Sequence, residues 1–491
     1  MLAQQSASPR LPAAASRIRE GDLRRDLALL AGPGMRGREA GTPDEMRASM
    51  WLAEQMRLIG LAPFGEDSSW FQWFAMRRSA VSTAASSVRL GDRQLALWSD
   101  ITPTSAAAGD ASGVPLVVRD VRDTTVDVRG RIVVTFLVAP PAANIRSTTN
   151  TWAVNYTRAA LAAQGLVLQR RGAAAVVLIA DSVAEAGFAG IASVSSRGGY
   201  DVVNGSPRFV RPAAPGSAPP PAPARPVPIL LAHYALAGEL TAPGATLDIR
   251  IRPEVFETPS VNIIGLVRGT DPALRDEYVV FSSHQDHDGV RYLVDGDSVW
   301  AGADDNGSTS VALLAIARAW VRQPAKRSAL FIFHGAEERG LLGSRYHAVH
   351  PVVPLERMVA VLNGDMIGRN HPDTAALMGS QPPHRNSADL VRMAIEANAA
   401  TARFVIDSTW DRPAHPEGWY FRSDHVPYAE RGVPALFFST NLHPDYHTPR
   451  DTPERINYPK LLRMTQWMYL TGWIAANAPQ RPATDSSFVL R

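Results

Sequence analysis

The chain has 491 residues, 45 % hydrophobic and 20 % charged. At about 150 residues per domain this is an ordinary globular balance of two or three domains, which excludes the disordered and fibrous classes. Its 50 Lys+Arg against 47 Asp+Glu nearly cancel without any run of like charge, so no nucleic-acid partner is expected. Cysteine is absent, which removes disulfides, thiolate metal sites and cysteine nucleophiles and leaves His, Asp and Glu to hold any metal. No uncharged apolar run of about 18 residues occurs, so no transmembrane segment is expected. The opening Met1-Leu-Ala-Gln-Gln lacks a charged n-region and an apolar core of about 7 to 15 residues, so an exported form would have lost its signal from this chain.

In chain order, residues 1–19 are small and polar and read as a flexible tail. Thr42-Pro43-Asp44-Glu45 then supplies an N-cap hydroxyl, a proline at the first helical position and a glutamate three residues after the cap. Met46, Met50, Ala53, Met56 and Leu58/Ile59 follow at helical spacing until Gly60 stops the helix. This first stretch is taken as 20–100. From 101 to 255 the texture changes to short β-rich pieces, 131–138 and 175–179, with a helix over 156–169, the signature of a smaller inserted domain. Within it, 206–228 is rich in Pro and Ala and predicts an extended, polyproline-like surface loop.

In the last stretch, 256–480, apolar strands at 278–282, 329–333, 357–362 and 435–438 alternate with helices at 308–321, 387–399 and 458–475, before a C-terminal tail of 481–491. Continuous β-branched or aromatic runs separated by helices predict an α/β fold: a mixed, largely parallel central sheet covered by helices on both faces. In such sheets, sites form at the carboxyl ends of the strands.

Three of these strands run into side chains that can hold metal. Strand 278–282 leads into Ser283-His284-Gln285-Asp286-His287, strand 329–333 into His334-Gly335-Ala336-Glu337-Glu338, and strand 357–362 into Asn363-Gly364-Asp365. Ala301-Gly302-Ala303-Asp304-Asp305-Asn306-Gly307, which caps the next helix, and Asp445-Tyr446-His447-Thr448-Pro449-Arg450-Asp451 join them by composition. Histidine and carboxylate without thiolate suit Zn2+, Mn2+ or Co2+, and two His with three carboxylates make two overlapping sites if one carboxylate bridges ions about 3.5–4 Å apart. His284-x-Asp286 has a separate logic: a ligating His gives its other ring N–H to a carboxylate, so Asp286 stands behind the ligand and not on the metal. Singly, each motif is as well explained by a turn, a helix cap or a solvated charge pair. The five together, in this order and at strand ends, point to metal.

The same strings resemble the dizinc exopeptidases that include the bacterial leucine aminopeptidases and, more distantly, glutamate carboxypeptidase and the transferrin receptor ectodomain. The matching stretches are Tyr278-Val-Val-Phe-Ser-Ser-His284-Gln-Asp286-His287, Gly302-Ala-Asp-Asp305-Asn-Gly-Ser308, Gly335-Ala-Glu-Glu338-Arg-Gly-Leu-Leu-Gly-Ser344, Asn363-Gly-Asp365-Met, Ser423-Asp-His425 and Tyr446-His-Thr-Pro-Arg-Asp451. Gly37-Arg-Glu-Ala-Gly-Thr42 is similar to the family's opening, and 126–134 with 171–178 resemble the protease-associated domain often inserted there. The likeness covers roughly 20–100 and 250–480.

This resemblance implies two Zn2+ per chain, with Mn2+ or Co2+ as substitutes. His284 and Asp365 would hold one ion, Glu338 and His447 the other, and Asp305 would bridge; Asp304 is an alternative bridge, although the frame of the match favours Asp305. It also implies a cis peptide after the bridge and Glu337 as general base. A water shared by two cations loses its proton near neutral pH, Glu337 takes that proton, the hydroxide attacks the scissile carbonyl, and Glu337 passes the proton to the leaving amine. Tyr446, beside His447, is placed to donate to the developing oxyanion.

The expected function is a zinc aminopeptidase acting on peptide substrates. The alternatives are a glutamate-releasing type of carboxypeptidase, which needs arginine for an α-carboxylate, a glutaminyl cyclase-like acyltransferase, and an inactive receptor-like scaffold. Relatives with the insertion are commonly exported, which implies an extracellular or periplasmic location. Of the remaining candidates, His287 either lines the pocket or sits solvated, and His334 reads as a hydrogen-bonded core histidine. His443, Asp424 and Asp451 read as turn or supporting residues, and Trp300, Trp410 and Trp419 lie in loops where they could shape a side-chain pocket.

Overall fold

The structure is a computed structural model that describes residues 10–142, 152–209, 225–486, 488 and 490. These fall into two compact units, one within 1–76, 201–212 and 258–491, the other within 77–200 and 213–257.

The larger unit begins with α1 (Glu20–Leu30) and α2 (Pro43–Ile59). Helix α2 starts and stops where its sequence dictates: Thr42 Oγ1 accepts from the backbone N–H of Asp44 at 3.2 Å, and Gly60 ends the helix at φ 103°. The sheet is built from β1 (Pro253–Val267), β2 (Tyr278–His284), β3 (Ser328–His334), β4 (Met358–Gly364), β5 (Thr374–Met378) and β6 (Ala435–Ser439). Its order is β1-β3-β2-β4-β6-β5. The inner strands β3, β2, β4 and β6 are parallel, while β1 and β5 pair antiparallel on either side of them within a sheet of ten strands. The sheet is therefore mixed around a parallel centre.

Strands β2, β3 and β4 are buried along their whole length, which is why each reads as an unbroken apolar run. Side chains alternate between two cores. Val279, Phe281 and Phe331 pack against α1, α2 and the helices α3 (Thr309–Arg322), α4 (Ala388–Ala400) and α5 (Tyr458–Asn477). Val280, Leu330 and Val361 pack on the opposite face with Tyr428 and Val433. Each such side chain stabilises the fold by about 1.5–3 kcal/mol. Gly472 of α5 permits the close approach of helix to sheet, since a Cβ there would stand 2.3 Å from the Phe281 ring.

The smaller unit has a five-stranded sheet in which Ile132–Phe136, Ala175–Ile179 and Ile229–Ala232 are parallel neighbours. A second, antiparallel sheet pairs Leu247–Ile251 with Ser87–Leu90 and Gly109–Gly113. Helices Trp152–Arg170 and Ser182–Arg197 belong to this unit.

Four expectations are corrected. The first unit ends at Met76 and not at 100, because Ser87–Leu90 and Arg93–Leu95 pair within the sheet that holds Leu247–Ile251. The stretch 201–209 returns to the larger unit, where Val203 donates to the Ala75 carbonyl at 2.9 Å and Ser206 to that of Arg345 at 3.1 Å. Residues 10–19 are no tail, since Ala14, Ala15 and Ile18 are buried in the main core. Likewise Asp485 donates its N–H to the Asn386 carbonyl at 2.8 Å, so the segment after 480 is bonded to the unit. Most of the proline-rich loop, 210–224, lies outside the described residues.

Two stability outcomes follow. Thr42→Ala removes the cap of α2 and should lower stability by about 1 kcal/mol, read as a shift in the urea midpoint. His347, fully buried with Nδ1 2.7 Å from the Tyr428 hydroxyl, is pushed down by burial to about 3. Its folded-state value lies below the unfolded one, so the stability present above pH about 6.5 is lost as pH falls toward 3. Between pH 7 and 5 the urea midpoint should drop, His347 accounting for up to about 2 kcal/mol, and His347→Gln should reduce the drop.

Candidate metal centre

The carboxyl edge of the parallel strands gathers the candidate residues. His284 is the last residue of β2, Glu337 and Glu338 follow β3 by three and four residues, and Asp365 follows β4 directly. Asp305 comes from the turn Ala303–Ser308 that enters α3, and His447 from the loop after β6. His284 Nε2 lies 3.3 Å from Asp305 Oδ1, 3.5 Å from Asp365 Oδ1 and 3.7 Å from Glu337 Oε2. His447 Nε2 lies 3.0 Å from Asp305 Oδ2 and 3.1 Å from Glu338 Oε2. The two oxygens of Asp305 thus face different histidines, which is what a bridging carboxylate needs.

The donor atoms form two groups, His284/Glu337/Asp365 and His287/Asp305/Glu338/His447, each with one atom per residue within 4.8 Å of the others. His284 Nε2, Asp365 Oδ1 and Glu338 Oε1 are buried without a hydrogen-bond partner among the described residues. Buried polar atoms are costly unless satisfied, and imidazole nitrogens and carboxylate oxygens converging on one space satisfy one another best around a divalent cation. The donor set fits zinc.

Several residues hold these ligands in place. The Asp305–Asn306 peptide is cis, and Asn306 Nδ2 donates to the Gly364 carbonyl at 2.9 Å, tying the Asp305 turn to the end of β4. Asp451 accepts from the backbone N–H groups of Asp304 at 2.9 Å and Asp305 at 3.0 Å. Asp286 acts differently from the expectation: its carboxylate is 3.7 Å from His284 Nδ1, which instead meets the Asp286 backbone carbonyl at 3.1 Å. The chain turns back under the ring after β2, leaving the carboxylate to accept the N–H groups of Glu337 at 3.0 Å and Glu338 at 3.3 Å.

Two supporting residues carried no sequence signal of their own. Asp288 Oδ2 stands 3.4 Å from His447 Nδ1 and is held by Arg291 and Arg339, so the partner of His447 is the second acidic residue beyond His284. Arg38, fully buried inside the Gly37–Thr42 string, donates to the carbonyls of Gln285 at 2.7 Å, Ala301 at 2.7 Å and Gly302 at 2.9 Å. It pins two of the ligand-bearing loops together.

Asp304 is outside both donor groups; its Oδ1 accepts from the Gly368 N–H at 2.7 Å. His443, 3.5 Å from Asp304 Oδ2, is outside them too. His334 is buried between Asn262 Oδ1 and the Tyr428 hydroxyl, each at 3.3 Å. Asp424 accepts from Ser344 Oγ. His287 is fully buried, which overturns the solvated reading. Tyr446 stacks on His447 with ring centroids 3.9 Å apart, and its hydroxyl accepts from Arg422 Nη2 at 2.9 Å. Trp419 lies under the Arg422 guanidinium and beside Trp410, on the Tyr446 side of the site, whereas Trp300 is buried against Arg291.

Electrostatics separates the adjacent glutamates. Burial, opposed by His284 and reinforced by Asp365, Glu338 and Asp424, raises Glu337 well above the usual carboxylate range. Burial works the same way on Glu338, but His447 and His287 outweigh it and hold Glu338 well below that range. The two neighbouring carboxyl groups thus differ in their hold on a proton, Glu337 binding it more tightly than Glu338.

The sequence profile of peptidase family M28 matches residues 262–471. Aminopeptidase YwaD of Bacillus subtilis is 30 % identical over 190 residues, 37 % of this chain and 40 % of that protein. The probable leucine aminopeptidase of Arthroderma otae is 28 % identical over 210 residues, 40 % of this chain and 53 % of that protein. The chain thus spans only about half or less of these two curated relatives. Among solved structures, the aminopeptidase from Aneurinibacillus sp. strain AM-1 superposes with a TM-score of 0.56 at 17 % identity over 97 % of this chain and 98 % of that one. BSAP, a zinc aminopeptidase from Bacillus subtilis, gives 0.57 at 19 % identity over 96 % and 97 %. These two likenesses concern the fold. The segment that the M28 profile matches, 262–471, holds all five candidate ligands and both adjacent glutamates.

Proposed function

We propose that this chain is a zinc-dependent aminopeptidase that releases N-terminal residues from peptides. The observation that carries the reading is the division of the Asp305 carboxylate between His284 at 3.3 Å and His447 at 3.0 Å, with Asp365 and Glu338 completing either side. His284 and Asp365 would hold one Zn2+, Glu338 and His447 the other, with Mn2+ or Co2+ able to replace them. Bound there, the ions supply Lewis acidity, acidifying a water and polarising the scissile carbonyl.

The remaining work falls to the chain's own residues. Glu337, whose burial strengthens its hold on a proton, takes as carboxylate the proton of the attacking water and delivers it to the leaving amine. The backbone N–H bonds to Asp286 keep the Glu337–Glu338 turn fixed while this happens. The Tyr446 hydroxyl accepts from Arg422, which leaves its proton free to point at the oxygen of the scissile carbonyl as charge develops there.

A carboxypeptidase grip would need a cationic side chain free for an α-carboxylate. Arg422 is the arginine beside Tyr446, and its Nη1 already lies 2.8 Å from Glu417 Oε2, which supports the aminopeptidase reading. The smaller unit is proposed to be a protease-associated domain, and the enzyme to work outside the cytoplasm. No helix among the described residues is long and apolar enough to cross a membrane.

Two measurements test this. Glu337→Gln should lower kcat on amino-acid p-nitroanilides by about 10²–10⁴-fold, with metal analysis still giving two zinc ions per chain; full activity would remove Glu337 from the role of base. Short peptides blocked at the N-terminus should resist cleavage while C-terminally amidated ones are cut, and the reverse pattern would establish the carboxypeptidase grip.

A further inference from the structure

We propose that His287 is an additional protein ligand of the ion held by Glu338, His447 and Asp305, so that the two metal sites are unequal. The inference rests on the two-ion reading above and concerns a residue outside the set that reading uses.

His287 is completely buried, and among the described residues neither of its ring nitrogens has a hydrogen-bond partner. A buried imidazole left in that state is costly, so its surroundings should contain something that accepts a nitrogen lone pair. Those surroundings are the donor atoms of one site. Nδ1 lies 2.8 Å from Glu338 Oε1 and 3.9 Å from Asp305 Oδ2, and its ring meets that of His447 edge-on, with centroids 5.3 Å apart and planes at 88°. The Glu338 approach is close, yet the ring is not oriented to make it a hydrogen bond. Ligand atoms about 2.0–2.2 Å from a tetrahedral zinc stand roughly 3.3–3.6 Å from one another, and the spacings here, 2.8, 3.0, 3.1 and 3.9 Å, straddle that value.

The ring is also held in this pose by its neighbours. The His287 N–H donates to the Arg38 carbonyl at 3.2 Å, and Gly302 lies against the ring so tightly that a Cβ there would be 2.3 Å from His287 Cγ. The left-handed φ of 60° at Gly302 and the missing side chain together make room for the imidazole. A histidine that only filled space would not need Nδ1 aimed between two carboxylates.

The consequence is an asymmetric centre. Two imidazoles, Glu338 and Asp305 surround one ion, whereas His284, Asp365 and Asp305 surround the other. The richer site fills first and releases its ion last.

Metal-free protein titrated with Zn2+ against a chromophoric chelator should take up two ions in separate steps. His287→Ala should weaken the tighter step by at least about 100-fold, at or beyond the effect of removing a residue behind a ligand, and leave the weaker step unchanged. Because the chain has no cysteine, His287→Cys provides a second readout: Co2+ added to this variant should produce a thiolate-to-cobalt charge-transfer band absent from the parent. Unchanged affinities in His287→Ala, or a loss under about tenfold with no such band in the folded Cys variant, would overturn the assignment and make His287 a neighbour of Glu338 only. Fewer than two ions bound by the parent would overturn the two-ion reading itself, a result separable from the behaviour of the variants.

Discussion

The constraint on which the rest depends is negative charge taken out of water at the edge of a sheet. Asp286, Asp288, Asp305, Glu337, Glu338 and Asp365 all come within a few ångströms of His284 or His447, and nearly all of their surface is removed from solvent. Burying one unpaired carboxylate costs several kcal/mol, so such a group of anions persists only if positive charge is supplied at the centre and hydrogen bonds at the periphery. The periphery is provided by backbone N–H groups, those of Asp304 and Asp305 to Asp451 and those of Glu337 and Glu338 to Asp286, and by Arg291 and Arg339 at Asp288. At the centre stand the imidazoles of His284, His287 and His447.

The sheet makes this concentration affordable. Four parallel strands end together, and their middles are apolar, so the energetic deficit at the edge is offset by burial of Val, Leu and Phe on both faces below it. His284, Glu337, Glu338 and Asp365 then sit within a few residues of a rigid strand end, Asp305 at the mouth of α3, and His447 on the loop after β6. Arg38 closes the arrangement by reaching from the segment between α1 and α2 to the carbonyls of Gln285, Ala301 and Gly302, which explains why a string so far upstream belongs to the same site.

The parts legible in the sequence are those in which one residue's environment is set by its near neighbours. The strands β2, β3 and β4 were readable because being buried on both faces forces a continuous apolar run, and α2 because Thr42 and Gly60 act locally. The end of the first unit was not, since the pairing of Ser87–Leu90 with Leu247–Ile251 joins segments far apart in the chain. The burial of Ala14, Ala15 and Ile18 escaped notice for the opposite reason: small residues look like tail until a helix surface covers them. His287 was ambiguous because nothing in Asp286-His287-Asp288 announces that Gly302 and Arg38 will enclose it.

The backbone carries a further element that composition hides. Arg38, Ala336, Met366 and His447 all adopt left-handed φ, between 49° and 57°, and each is a candidate ligand, precedes the glutamates by one residue, follows Asp365, or clasps the loops of the site. For residues other than glycine this conformation costs about 1–2 kcal/mol each. Ala336 shows what the cost achieves. At φ 53° it turns the chain abruptly after β3, and Asp286 then fixes the next two N–H groups, so that Glu337 faces His284 while Glu338 faces His447 and His287. On a regular strand or helix, adjacent side chains would diverge to opposite faces or around a cylinder, and both carboxylates could not address one centre from neighbouring positions. The strain at Ala336 is therefore the structural reason that one Glu-Glu pair can face two different histidine sites side by side, and it persists because the apolar strand behind it and the hydrogen bonds ahead of it hold the turn.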